Sequence, residues 1–255
     1  MTDLSFSLER TVVIRARRST VFRYFTDSER FASWWGKGSH IESEPGGKVV
    51  IRYPNGALAG GKVVEIVDGE RIAFTYGYED PKRPIPLGGS LVTITLRDVP
   101  GGTELTLRHD VADAATRDAH VGGWRFQLSL FANVVANEEH AEFAERIAEW
   151  FAAWAEPELE PRRALLERCT EEQVAFRDQF ACVLGREELA AHVEAARMFM
   201  SGFTLRAEGE PRACQGTAIV DWIATASDSR FPMQGTNVVE LSVEGKIRSV
   251  VGIQR

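Results

Sequence analysis

The chain has 255 residues, of which 44% are hydrophobic and 26% charged, the balance of an ordinary folded protein at a length where single cores usually give way to two domains. Its formal net charge of -7 argues against a nucleic-acid partner, because phosphate binding needs clustered Lys and Arg. No stretch reaches the length of a membrane span, and the opening MTDLSFSLER lacks a basic start followed by an apolar run, so no membrane partner and a cytoplasmic location are expected.

In chain order, Leu8, Val12, Ile14 and Ala16 share one parity and predict a half-buried strand. Arg15, Arg17 and Arg18 follow at the junction with a helix and read as a solvated edge. Ser19 is placed to cap a short helix carrying Val21, Phe22 and Phe25. Asp27 is placed to cap a second one carrying Phe31, Trp34 and Trp35, and Gly36 ends it. Strand-like runs follow. Val49–Tyr53 and Leu58–Val67 meet across Pro54, Asn55 and Gly56, a strong hairpin signal, and Arg71–Tyr78, Ser90–Arg97 and Thr103–Asp110 complete five.

Asp113 to Trp154 contains no proline and reads as one long helix or two joined end to end. Trp124, Leu128, Phe131 and Val135 form one apolar stripe, and Phe143, Ile147, Trp150 and Trp154 form another. Eight residues separate Val135 from Phe143, which rotates the second stripe by roughly 80° from the first. Two stripes facing different ways imply two cores, with domains expected at 1–137 and 138–255.

The order strand, two helices, five strands and long helix, with FTDSERFASWWG at Phe25 and RDAHVGGW at Arg117, resembles bacterial START-like (SRPBCC) proteins of the helix-grip fold. More narrowly it resembles the branch of homologues of the heat-shock ATPase activator. The resemblance implies an antiparallel sheet curled around the long C-terminal helix, with a pocket between them. Parity and helical spacing bring Trp34, Trp35, Tyr76, His109, His120 and Trp124 forward as candidate ligand-binding residues, the last two lying four apart on the helix. Packing and structural roles are the competing reading for each.

In the second half, Pro161 is expected to open a helix carrying Leu165, Leu166 and Cys169. Val174, Phe176 and Asp178 share a strand face, Phe180–Leu184 pairs back, and Gly185 precedes a helix with Leu189, Val193, Ala196 and Met200 on its apolar side and His192 beside them. Four strands follow, Phe203–Glu210, Cys214–Ala226, Met233–Ser242 and Lys246–Ile253, with a turn at Asp228–Phe231. This order, with RRALLERC at Arg162, VAFRD at Val174, GREELAAHV at Gly185 and GKIRSVVGI at Gly245, resembles SnoaL-like proteins of the nuclear-transport-factor-like fold. The expected class is therefore α+β throughout, a helix-grip domain followed by a cone-shaped curved sheet with three helices.

The second resemblance places a carboxylate at the mouth of the cone where Asp178 stands. A carboxylate there, stripped of water, could act as general base, with His192 as its acid partner. The competing reading is that Asp178 bonds its own backbone in a turn. Phe176 and Trp222 are expected to line the cone. All four tyrosines, at 24, 53, 76 and 78, precede this half, which removes the oxyanion donor usual in ketosteroid isomerases.

No Walker loop, dinucleotide fingerprint, nucleophile elbow or metal motif is present, so neither cofactor nor metal is expected. Cys169, Cys182 and Cys214 are odd in number and form no CxxC pair, which predicts reduced, mostly buried thiols. The functional expectation is binding of a small hydrophobic molecule in one or both domains. The alternatives are a cofactor-independent cyclase or isomerase in the second domain acting on a polyketide-like or steroid-like substrate and, implied by the first resemblance alone, a co-chaperone of a heat-shock ATPase. Ile219 and Ile223, opposite Trp222, offer a face for a homodimer.

Overall fold

The computed structural model describes residues 3–200, 202–227 and 232–255. The turn expected at Asp228–Phe231 lies outside the described residues. The chain divides into two compact units, one ending at Ala136 and the next beginning at Asn137.

The first unit begins with β1 (Phe6–Ile14), α1 (Arg18–Arg23) and α2 (Ser28–Trp35). Then come β2 (His40–Ile41), β3 (Lys48–Arg52), β4 (Leu58–Val67), β5 (Arg71–Tyr76), β6 (Ser90–Val99), β7 (Gly102–Val111) and α3 (Ala114–Glu139). The strands form one antiparallel sheet in the order β1-β7-β6-β5-β4-β3-β2. Its inner face and the α3 stripe of Trp124, Leu128, Phe131 and Val135 share one buried core with α1 and α2. Each such large apolar side chain contributes about 1.5–3 kcal/mol on burial, which is what closes the sheet over the helix.

Two local expectations change. Arg17, not Ser19, is the N-cap of α1 and makes no side-chain cap bond, so this helix is held by burial of Val21 and Phe22 rather than by capping. β2 has two residues, too short to leave a periodic signal in the sequence. Asp27 does cap α2, accepting from Glu29 N at 2.9 Å and Arg30 N at 3.0 Å, and those backbone donors help hold its carboxyl below the usual range. Arg18 is tied to Asp98 at 3.1 Å on a partly solvated surface.

In the second unit α4 (Phe143–Ala155) and α5 (Leu159–Cys169) lead to β8 (Thr170–Arg177), β9 (Cys182–Leu184) and α6 (Arg186–Phe199). The last strands are β10 (Thr204–Cys214), β11 (Thr217–Thr225), β12 (Met233–Leu241) and β13 (Ile247–Gln254), in the sheet order β10-β11-β12-β13-β8-β9. β13 pairs with β8 in parallel and the other neighbours are antiparallel. Ile147, Trp150 and Trp154 of the second stripe lie in this unit's core.

Three readings are corrected here. α5 begins at Leu159, so Pro161 sits inside the first turn, where its missing N–H has no helical partner to lose. β10 runs through Pro211 to Cys214 with an irregularity between Glu208 and Arg212, which an edge strand tolerates. Only Cys169 is buried, and burial pushes its thiol up to about 12; Cys182 and Cys214, near strand ends, are exposed.

Candidate functional site

Each unit holds a cavity. The first has a volume of about 590 Å³ and is walled by Trp34 and Trp35 of α2, Tyr53 after β3, Tyr76 and Tyr78 at the end of β5, and the α3 face of His120 and Trp124. Local structure explains this convergence. Asp27 fixes the start of α2, which places its two adjacent tryptophans in the core with ring centroids 4.4 Å apart. The spacing of four puts His120 and Trp124 on one face of α3, and strand parity turns Tyr76 inward with Ile72 and Phe74.

The polar groups at this cavity form a defined network. Tyr53 and Tyr76 share a hydroxyl–hydroxyl bond of 2.7 Å. His120 Nδ1 lies 2.7 Å from the Thr116 carbonyl, which only accepts, so Nδ1 carries a proton and Nε2 faces Tyr78 Oη at 3.4 Å. Burial pushes the Tyr53 and Tyr76 phenols far above their ordinary range, so both remain hydrogen-bond donors across the working pH range.

His109, expected among the ligand-binding residues, is fully buried and does not line the cavity. It stands behind the wall. Trp124 Nε1–H donates to its Nδ1 at 2.9 Å, which leaves the proton on Nε2 to be donated to Ser90 Oγ at 2.8 Å. Ser90 in turn donates to the Tyr76 carbonyl at 2.8 Å. Burial, with a smaller push from His120, holds the imidazole down to about 3. His109 is thus a neutral strut that fixes Trp124 and the backbone at Tyr76.

The second cavity, of about 420 Å³, is walled by Trp150, Trp154, Phe176, Trp222, Phe203 and neighbouring apolar side chains. Asp178 and His192 both line it, as do Phe176 and Trp222. Asp178 is half-buried just beyond β8, and its Oδ1 accepts from Phe180 N at 2.7 Å, so the turn-forming role is occupied while the side chain still borders the cavity. The His192 ring packs against Trp154 and Phe176, with centroids 5.8 and 5.6 Å away. Among the described residues no close group of three His, Cys, Asp or Glu could hold a metal, and no described helix is long and apolar enough to cross a membrane.

Several wall residues were missed as site candidates. Tyr53 shares a parity with buried Val49 and Ile51, a signal that the following Pro54 obscured. Asn237 is buried on the apolar face of β12 with Val239 and Leu241, and it lines the second cavity. Trp150 and Trp154, whose helical spacing marks them as core residues, also line the second cavity.

A curled antiparallel sheet closed by a long helix defines the first unit as a START-like domain, and the second is a curved mixed sheet with three helices. Residues 15–136 match the family model described as Activator of Hsp90 ATPase homolog 1-like protein, so the chain carries a domain of that family. Among solved structures, an AHSA1-like protein from Rhizobium etli is 31% identical, covering 51% of this chain and 81% of its own, with a TM-score of 0.41. A SnoaL-like family protein from Agrobacterium tumefaciens is 30% identical, covering 46% of this chain and 98% of its own, also at 0.41. No curated protein matches the sequence. The chain joins an activator-homologue, START-like domain to a SnoaL-like one.

Proposed function

We propose that the protein binds small hydrophobic molecules, with a site in each domain. The observation that carries this reading is the pair of cavities, about 590 and 420 Å³, each within the range of small-molecule sites and each walled chiefly by aromatic and aliphatic side chains. In this reading Trp34, Trp35, Tyr76, His120 and Trp124 contact ligand in the first domain and Phe176 and Trp222 in the second. His109 supports the first site from behind. Burial of a ligand's apolar surface supplies the affinity, and the few polar groups orient it. The proposed location is the cytoplasm.

Native mass spectrometry of freshly purified protein, followed by denaturing extraction, tests this. A retained apolar molecule, or a mass increment after incubation with apolar ring compounds, is expected. Absence of both overturns the reading.

A second reading is supported by one specific observation, the placement of Asp178 and His192 on the wall of one cavity. There Asp178 would take a proton from a substrate C–H or O–H and His192 would return one, without a cofactor. We further propose a homodimer through the outer face of the second sheet. Ile219, Val238 and Val251 stand side by side on it across three strands, with Ile223 and exposed Ile253 on the same face. Sedimentation equilibrium of the wild type and of Ile253→Lys tests it, with a dimer expected only for the former.

A further inference from the structure

Three residues stand in a row across the sheet at the second cavity. Asn237 of β12 pairs with Gly252 of β13, and Val251 of β13 pairs with Arg177 of β8, so Asp178, the next residue, stands on the other side of Gly252. All three line the cavity. Gly252 has no side chain to fill the interval between its polar neighbours. The point where its Cβ would sit is 3.3 Å from Asn237 Oδ1 and 3.3 Å from Asp178 Cβ.

Both neighbours have bonding capacity in reserve. Asn237 is only 4% exposed, yet its side-chain amide has no hydrogen-bond partner among the described residues. The indole N–H groups of Trp150, Trp154 and Trp222 are sealed inside the wall, whereas the amide keeps surface at the cavity. A buried amide without a partner is costly, and a ligand atom bonded to it would offset that cost. Asp178 Oδ1 accepts from Phe180 N at 2.7 Å, which leaves Oδ2 for another donor. The nearby Gln179 and Gln254 are already bonded to each other.

Charge narrows the class of ligand. Asp178 is the one acidic residue among the described lining residues, and no Lys or Arg accompanies it. No basic side chain pairs with it among the described residues. Asp178 Oδ2 and Asn237 Oδ1 both accept, so a group held between them must donate to each. A carboxylate beside an apolar wall attracts a cationic donor more strongly than a neutral one. The rings of Trp154, Phe176 and Trp222 supply apolar surface for the remainder of the molecule.

We propose that the second cavity binds a ring compound bearing a protonated amine, with the ammonium group over Gly252 between the Asp178 carboxylate and Asn237 Oδ1. The proposal rests on the binding reading above and adds the polar group that the second domain's ligand carries.

The test is equilibrium dialysis with 1-(2-naphthyl)ethylamine and with 2-isopropylnaphthalene, which has a methyl group in place of the ammonium. The wild type should bind one equivalent of the amine. In Asp178→Asn, which still accepts from Phe180 N, the amine should bind at least about tenfold more weakly, as loss of a charge-assisted hydrogen bond warrants, while the hydrocarbon binds as to wild type. Asn237→Leu should weaken the amine by about threefold, again sparing the hydrocarbon. An amine affinity unchanged in Asp178→Asn, or no amine binding to a wild type that binds the hydrocarbon, overturns this proposal and leaves the binding reading standing. Should Asp178→Asn lose the hydrocarbon too, Asn237→Leu decides, and an unchanged amine affinity there overturns the proposal. Binding of neither probe to the wild type overturns both.

Discussion

Trp124 Nε1–H donates to His109 Nδ1 across 2.9 Å, and this single bond determines which nitrogen of a fully buried histidine carries its proton. It also makes the histidine acid-sensitive. Burial first, and His120 second, hold its folded-state value down to about 3, whereas the unfolded chain titrates near the ordinary 6.5. Between those values the unfolded state binds the extra proton, so stability must fall as pH drops from 6.5 toward 3, by up to about 1.4 kcal/mol per unit from this group. Urea denaturation at pH 7, 6, 5 and 4 should show that slope in the wild type and a shallower one in His109→Gln. Identical slopes would remove His109 as its source.

Arg162 of α5 is fully buried, and its guanidinium is held by the two residues just before its helix and by a carboxylate of α6. It donates to the Glu156 carbonyl at 3.1 and 3.0 Å, to the Pro157 carbonyl at 3.0 Å and to Glu194 at 2.5 Å. Arg162→Leu strands those acceptors and should destabilise by about 3 kcal/mol. Arg163, paired with Glu160 and Glu187 on the surface, should be replaceable by Leu with little change. Chemical denaturation of the two variants separates a buried anchor from a surface ion pair one residue away.

Gly122 lies in the middle of α3 with open space where a Cβ would be. Gly122→Ala should therefore stabilise by about 1 kcal/mol, seen as a raised Tm. Gly61→Ala should do the opposite, because its Cβ would come within 2.0 Å of the Thr75 carbonyl. A neutral result at Gly61 would contradict the close approach of β4 to β5.

Asp178→Asn preserves an oxygen to accept from Phe180 N while removing the base. Affinity for an uncharged ligand in the second cavity should be retained. Any proton-transfer turnover found there should be lost, and a rate unchanged from wild type would exclude Asp178 from the chemistry.

The sequence carried the fold through periodicity. Trp124, Leu128, Phe131 and Val135, and then Ile147, Trp150 and Trp154, are buried in two different cores because a helix shows its buried face as a repeat. Parity likewise marked His109 as inward-facing. It could not say how deep, and His109 proved to stand behind the wall rather than in it, because alternation reports a face and not a distance. Tyr53 and Asn237 escaped for a related reason: one ends its strand beside a proline, and the other is a single polar residue on an apolar face. The Tyr53–Tyr76 bond joins residues 23 apart in sequence across the sheet, and no local pattern encodes such a pairing.

The central claim, two independent sites for apolar ligands, is tested most directly by equilibrium dialysis with 2-isopropylnaphthalene. Wild type should bind two equivalents. Gly123→Phe, which projects a ring from an open position on the first cavity's wall, and Ala196→Phe, on the second's, should each remove one, and the double variant should bind none. No saturable binding to the wild type, or undiminished binding to the double variant, would contradict the account.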